Sequence, residues 1–363
     1  MKKNPALLFL SIVFVVFLRF GCSPACGQDA VVKSEFIFAR APFPSCHAST
    51  IAETKSALVA AWFGGTAERN PDVCIYVSRN ENGHWTSPVT VADGVGFAPN
   101  RFPTWNPVLF QPKNGPLMLF YKVGPSPAKW WGMMMLSADE GKTWSKPRRL
   151  PDGILGPIKD KPVQLPDGDI LCGSSTENSG RKVHFERTSD FGKTWSAALP
   201  LKDPGKVGPI QPTILFLKDG LLETLGRTSV GKIFSSFSGD GGQTWQPLTL
   251  TDLPNPDSGI DAVTLRDGRQ LLVYNHNIRA GSHNKGRSPL NVAVSPDGTN
   301  WSAALVLEDD LNAPNGFSYP AVIQTRDGLV HITYTWERKR IKHVVIDPQK
   351  LELKPIGHGV WTK

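Results

Sequence analysis

Six times along the chain a short apolar stretch meets a polar turn and gives way to a second apolar stretch. The copies start at Ser49, Asn106, Lys161, Gln211, Asp261 and Tyr319. In the second, NPVLF and PLMLFY flank Asn114-Gly115. In the fifth, AVTL and QLLVY flank Asp267-Gly268. An Asn-Gly or Asp-Gly turn between β-rich runs is a hairpin signal, so each copy predicts two antiparallel strands, A and B. Further apolar runs predict a third strand, C (73–77 in the first unit, 290–294 in the fifth), and a fourth, D, such as 89–91.

A second pattern sits between C and D. Residues 137–144 read SADEGKTW, and the octet returns at 188–195 (TSDFGKTW) and 238–245 (SGDGGQTW). Weaker copies lie at 78–85 and 295–301. The closing tryptophans, Trp85, Trp144, Trp195, Trp245 and Trp301, recur at intervals of about fifty to sixty residues, the period of a propeller or array. Within the octet, Asp accepts turn hydrogen bonds, Gly supplies positive φ, and Trp packs. The octet is therefore expected to serve folding and not chemistry. Four antiparallel strands repeated six times predict an all-β, six-bladed β-propeller. The sixth unit lacks an octet. Its C strand is expected at 341–346, and 35–38 at the other end of the chain is expected to supply its D strand and close the ring. Residues 351–356 compete for that edge.

The 363 residues are 40% hydrophobic and 20% charged, which excludes a disordered chain and a multi-span membrane protein. With 34 glycines and 31 prolines, frequent turns are affordable, and one closed propeller over 33–363 accommodates the length. Residues 1–28 stand apart. Lys2 and Lys3 precede an apolar run over 6–18, and small residues follow at Ala25 and Gly27. That order predicts a secretory signal peptide and a secreted or periplasmic protein, with no membrane span. Cys22 and Cys26 lack the preceding aliphatic residue that a lipoprotein anchor uses. The formal charge is +8, three of it from Lys2, Lys3 and Arg19 in the leader. Without a Lys/Arg block this predicts no nucleic-acid binding but suits an anionic ligand. Cys46, Cys74 and Cys172 are too few and too widely spaced for a disulfide scaffold or a zinc site. No cofactor or metal is expected, and the chain is expected to be a monomer.

In an up-and-down blade, A-strand starts, B-strand ends and B–C loops meet at one mouth of the central channel. The octets lie at the other end. Reading the mouth positions gives His47, Trp105, Asn106, Lys161, Gln211, Asp257 and Tyr319 at A-strand starts. The first B–C loop offers Glu68, Arg69 and Asp72, and the second offers Lys129, Trp130 and Trp131. Arg227 ends the fourth B strand, and the long fifth loop carries His276, Arg279, His283 and Arg287. Paired arginines suit a carboxylate, which guanidinium binds bidentately, and paired tryptophans suit the apolar face of a sugar.

The octets resemble the Asp-box (BNR) repeats of the sialidase superfamily, and the hairpins extend the resemblance over nearly the whole chain beyond the leader. The resemblance implies a carboxylate held by three arginines, a Tyr nucleophile paired with a Glu, and an Asp as acid/base. Tyr319 matches the nucleophile, Arg227 the second arginine and Arg287 the third. His47 stands where the first arginine is expected, and Gln211 where the Glu is expected. The acid in the first B–C loop is Asp72 or Glu68. The function this implies is a glycoside hydrolase acting on a terminal, acidic sugar of an oligosaccharide or polysaccharide. One alternative is a lyase for uronate-containing glycans, with His47 and Tyr319 as base and acid and a pH profile following a His near its ordinary pKa of about 6.5. Another is a non-catalytic carbohydrate-binding propeller.

Overall fold

The computed structural model describes residues 28–96, 101–178, 180–278 and 284–362. The leader up to residue 27, Arg279 and His283 lie outside the described residues. Each of the six hairpins forms the inner part of one antiparallel sheet, and the sheets make a six-bladed propeller. Blade one pairs Ser45–Glu53, Leu58–Gly65 and Cys74–Glu81, with His84–Trp85 and Val89–Ala92 outermost. Blade four comprises Ile210–Phe216, Leu222–Arg227, Lys232–Ser238 and Thr249–Pro254, in that order from the channel outward. Blade six joins Phe317–Gln324, Val330–Trp336 and Arg340–Ile346 to Val31–Phe36. Val31–Phe36 thus closes the ring, a few residues earlier than the 35–38 that the sequence suggested. The competing C-terminal stretch goes elsewhere, with Lys354–Pro355 pairing with Ser302–Glu308 at the edge of blade five.

Middle strands such as Leu117–Val123 are buried at every position, because each blade is covered on both faces. The apolar side chains gather in clusters that follow the gaps between adjacent blades. The octets contribute to those gaps. Thr143 donates to Asp139 through its backbone N–H (2.8 Å) and its hydroxyl (2.6 Å), and Gly141 turns at φ +83°. The tryptophan then packs on the preceding blade: Trp245 of blade four stacks on Phe185 of blade three at 4.1 Å. All three described cysteines are buried and free.

Ring closure carries its own titratable network. Glu35 on the N-terminal strand accepts from Trp85 of blade one (3.1 Å), pairs with Lys33 (2.9 Å) and meets His343 Nδ1 (3.1 Å). His343 Nε2 in turn faces His331 Nδ1 at 2.9 Å. Burial alone would raise the Glu35 carboxyl, but His343 and Lys33 bring it down to about 2. Burial, reinforced by His343 and opposed by Asp327, holds His331 at about 4. The unfolded chain therefore binds more protons at His331 than the folded one between about pH 6.5 and 4. That contribution to stability is lost as the pH falls through the window and amounts to about 3 kcal/mol. Thermal melts from pH 7 to 4 should show wild type losing markedly more stability than His331→Gln. Parallel losses would contradict the role of His331.

Candidate active site

Four A strands share one distortion where they enter the channel. Their pairing with the B strand shifts between His47 and Thr50, Trp105 and Val108, Ile210 and Thr213, and Ser318 and Ala321. Inside each shift one residue is left-handed: Ala48 at φ +56°, Asn106 at +27°, Gln211 at +55° and Tyr319 at +54°. Three of these precede a proline, Pro107, Pro212 or Pro320, which has no N–H to give the ladder. A bulge re-aims the side chain it carries. Here it brings Gln211 and Tyr319 together across the channel, with Gln211 Nε2 3.5 Å from the Tyr319 hydroxyl. A bulky residue at positive φ costs on the order of 1–3 kcal/mol and is characteristic of functional sites.

Beneath Tyr319 the channel is filled by charge. The buried Lys159 ammonium bonds Asp160 and donates to the carbonyls of Ile260 (2.6 Å) and Pro320 (2.8 Å). Asp261 of blade five accepts from Lys161 of blade three, Thr213 of blade four and the Val322 N–H of blade six. This floor fixes the backbone next to Tyr319. It also sets Lys159 5.9 Å from the Tyr319 ring centroid.

Two arginines flank the same ring. Arg227 Nη1 donates to the Tyr319 hydroxyl at 3.2 Å, and its guanidinium lies 5.6 Å from the ring centroid. The Arg287 guanidinium lies 5.7 Å from it. Burial would raise the phenol's pKa, but the charges of Arg227 and Arg287 outweigh it, and Tyr319 sits below its ordinary value. Arg227 is oriented by Asp257 (3.2 Å), which Arg181 grips bidentately at 2.9 and 2.7 Å. Arg287 makes no ion pair among the described residues. Burial, with the neighbouring charges of Arg338 and Arg227, brings it down to about 10. A half-buried guanidinium without a counter-ion among the described residues is a ready partner for an anion.

His47 packs against Tyr319 with ring centroids 4.1 Å apart. Thr335 Oγ1 accepts the Ala48 N–H (3.1 Å) and lies 2.9 Å from His47 Nδ1. Donation from Thr335 to Nδ1 satisfies both groups and puts the ring proton on Nε2, which has no partner among the described residues. Burial, then the charges of Arg338, Arg287, Arg227 and Lys159, hold the imidazole well below its ordinary pKa. That direction favours the neutral imidazole and argues against the His titration near 6.5 that the lyase alternative implied.

The first B–C loop divides its three candidates. Asp72 is exposed and caps its own turn, accepting the Thr66 N–H (2.8 Å) and hydroxyl (2.6 Å), and the Thr66 hydroxyl chiefly lowers its pKa. Arg69 is exposed, at φ +81°. Glu68 turns to the mouth and accepts from Arg338 at 2.6 Å. Of the two tryptophans, Trp130 lies edge-on to buried Trp105 at 5.9 Å. Trp105 continues through Phe63 and His47 to Tyr319 as one file of rings. Trp131 instead packs on Phe102 and beneath Arg149 of the outer strand. Tyr319, His47, Gln211, Arg227 and Arg287 thus converge, Glu68 and Trp130 stand at the rim, and Asp72, Arg69 and Trp131 lie apart from Tyr319. Arg338, Arg181 and Lys159 were not anticipated. Arg338 and Arg181 occupy the B–C turns of blades six and three, and the mouth rule that selected Glu68 reaches both when extended to every blade.

Residues 56–332 match the BNR repeat-like domain family. The chain belongs to this family. No curated protein matches it in sequence. Among solved structures it is similar to a protein of unknown function from Dyadobacter fermentans, at 17% identity and TM-score 0.69, covering 89% of this chain and 99% of that one. It is similar to the NanB sialidase of Streptococcus pneumoniae, at 13% identity and TM-score 0.67, covering 88% and 71%. The intramolecular trans-sialidase of Ruminococcus gnavus aligns at 13% identity and TM-score 0.68, covering 91% and 100%. At these identities the likeness is one of fold. The chain shares its propeller fold with these sialidases.

Proposed function

We propose that the protein is a glycoside hydrolase that removes a terminal acidic sugar. The observation that carries this reading is the Tyr319 hydroxyl held by Arg227 at 3.2 Å, with Arg287, free of any ion pair among the described residues, over the same ring. Arg227 and Arg287 would hold the sugar carboxylate. The Tyr319 oxygen would bond the anomeric carbon as the bond to the leaving oxygen breaks, and water would release the sugar. Gln211 cannot act as a base. In its absence the two arginines favour the phenolate, which supplies part of what a base would give. Glu68, the acid of its loop that faces the clamp, would protonate the leaving oxygen. The leader expected over 1–28 is consistent with an activity exerted outside the cytoplasm.

A second reading, β-elimination on a uronate-containing glycan, is favoured by the neutral His47 against Tyr319 and by Gln211 in place of a carboxylate. A panel of acidic oligosaccharides read by mass separates the two. Hydrolysis gives products heavier in sum by one water, elimination leaves the summed mass unchanged, and an uncleaved panel contradicts both.

A further inference from the structure

Blade six turns from Val330–Trp336 to Arg340–Ile346 over three residues, and two of them, Glu337 and Arg338, are left-handed at φ +52° and +59°. Neither is glycine, so the turn holds a conformation that L-residues disfavour. It is seated on both sides. The Glu337 N–H donates to the Gly316 carbonyl at 2.9 Å, and the Arg338 carbonyl accepts the Cys46 N–H at 2.8 Å. Arg338 is therefore fixed one residue from His47, the position at which an arginine was expected from blade one. Its guanidinium, Arg287 and Glu68 line one groove of about 470 Å³ between blades one, five and six. In that groove the carboxylate on Arg338 belongs to Glu68.

We propose that Arg338 is the third arm of the anion clamp, delivered from blade six instead of blade one, and that Glu68 is an exchangeable internal carboxylate which an incoming one displaces. The inference rests on the acidic-ligand reading above. Three features support it. The Arg338–Glu68 pair is half-exposed, with side chains 24% and 36% accessible, so exchange needs no unfolding. Glu68 belongs to a solvent-exposed loop with an exposed, left-handed Arg69, whereas Arg338 is anchored through its backbone. Glu68 also acts electrostatically on both Arg287 and Tyr319, as a bound carboxylate would.

The test is calorimetric titration of the full chain with acetate as probe. Removing the internal competitor in Glu68→Gln should tighten acetate binding about tenfold, the scale of one charge-assisted contact. Arg338→Ala should weaken it by a similar factor, and Glu68→Gln should bring no gain once Arg338 is alanine. Unchanged or weaker binding in Glu68→Gln, a gain that survives without Arg338, or no acetate binding to either protein overturns the proposal. Glucuronate and N-acetylneuraminate titrated in parallel separate this from the wider reading. If the Glu68→Gln gain holds for acetate but neither sugar acid binds more tightly than acetate, the exchange stands and the acidic-sugar reading falls.

Discussion

Tyr319→Phe should lower turnover on the true substrate by at least about 10³-fold, the scale for loss of a nucleophile, while leaving the fold and most of the binding in place. The ring stays, so its packing against His47 and its place among Lys159, Arg227 and Arg287 are kept. Only the hydroxyl is lost, and with it the contacts to Arg227 and Gln211. Steady-state kinetics with a melting curve for each protein separate loss of chemistry from loss of structure. His47→Asn refines the result. In a hydrolase, neutral His47 helps to place the substrate, and its loss mostly raises KM. In a lyase it carries a proton, and kcat falls by about 10²–10⁴-fold. Full turnover by Tyr319→Phe would remove both assignments.

Arg227→Ala should weaken an acidic sugar by about 1.5–3 kcal/mol, or roughly ten- to a hundredfold, and its methyl ester much less. Arg227 can be removed without leaving a buried charge unpaired, because Arg181 keeps its bidentate grip on Asp257. The loss therefore reports on the ligand. Arg287→Ala should behave alike, and it has no protein ion pair among the described residues to lose. Titration of acid and ester against both variants checks this. Equal losses for the two ligands would mean that the arginines do not grip a carboxylate.

The blades were legible because their signals are local. A turn of Asp-Gly or Asn-Gly, two apolar runs and an octet ending in tryptophan each act within a few residues, as the Thr143–Asp139 bonds show. The site was legible as far as topology reaches. Strand order alone puts Tyr319, Gln211, His47, Arg227 and Arg287 at one mouth, whereas the left-handed bulges at Ala48, Asn106, Gln211 and Tyr319 emerged only from the strand register. Which loop residue turns inward was not legible. Glu68 and Asp72 lie four positions apart, yet one meets Arg338 from blade six and the other caps its own turn with Thr66. That choice depends on partners from other blades. The same holds for Asp257, which joins Arg181 of blade three to Arg227 of blade four. The charge state of His47 also depends on burial and on four cations drawn from four separate segments of the chain.

The central claim is that Arg227 and Arg287 make one phenol, Tyr319, unusually acidic. The chain offers a clean measurement, because it has five tyrosines. Burial raises the other four, Tyr76, Tyr121, Tyr274 and Tyr334, above the ordinary value, whereas Tyr319 is lowered. Ultraviolet difference titration of wild type should show a single tyrosine ionising below the ordinary pKa of about 10. That step should be missing from Tyr319→Phe. It should move to higher pH when an acidic sugar neutralises the arginines. A first ionisation that persists in Tyr319→Phe, or five tyrosines all titrating at or above the ordinary value, would contradict the account.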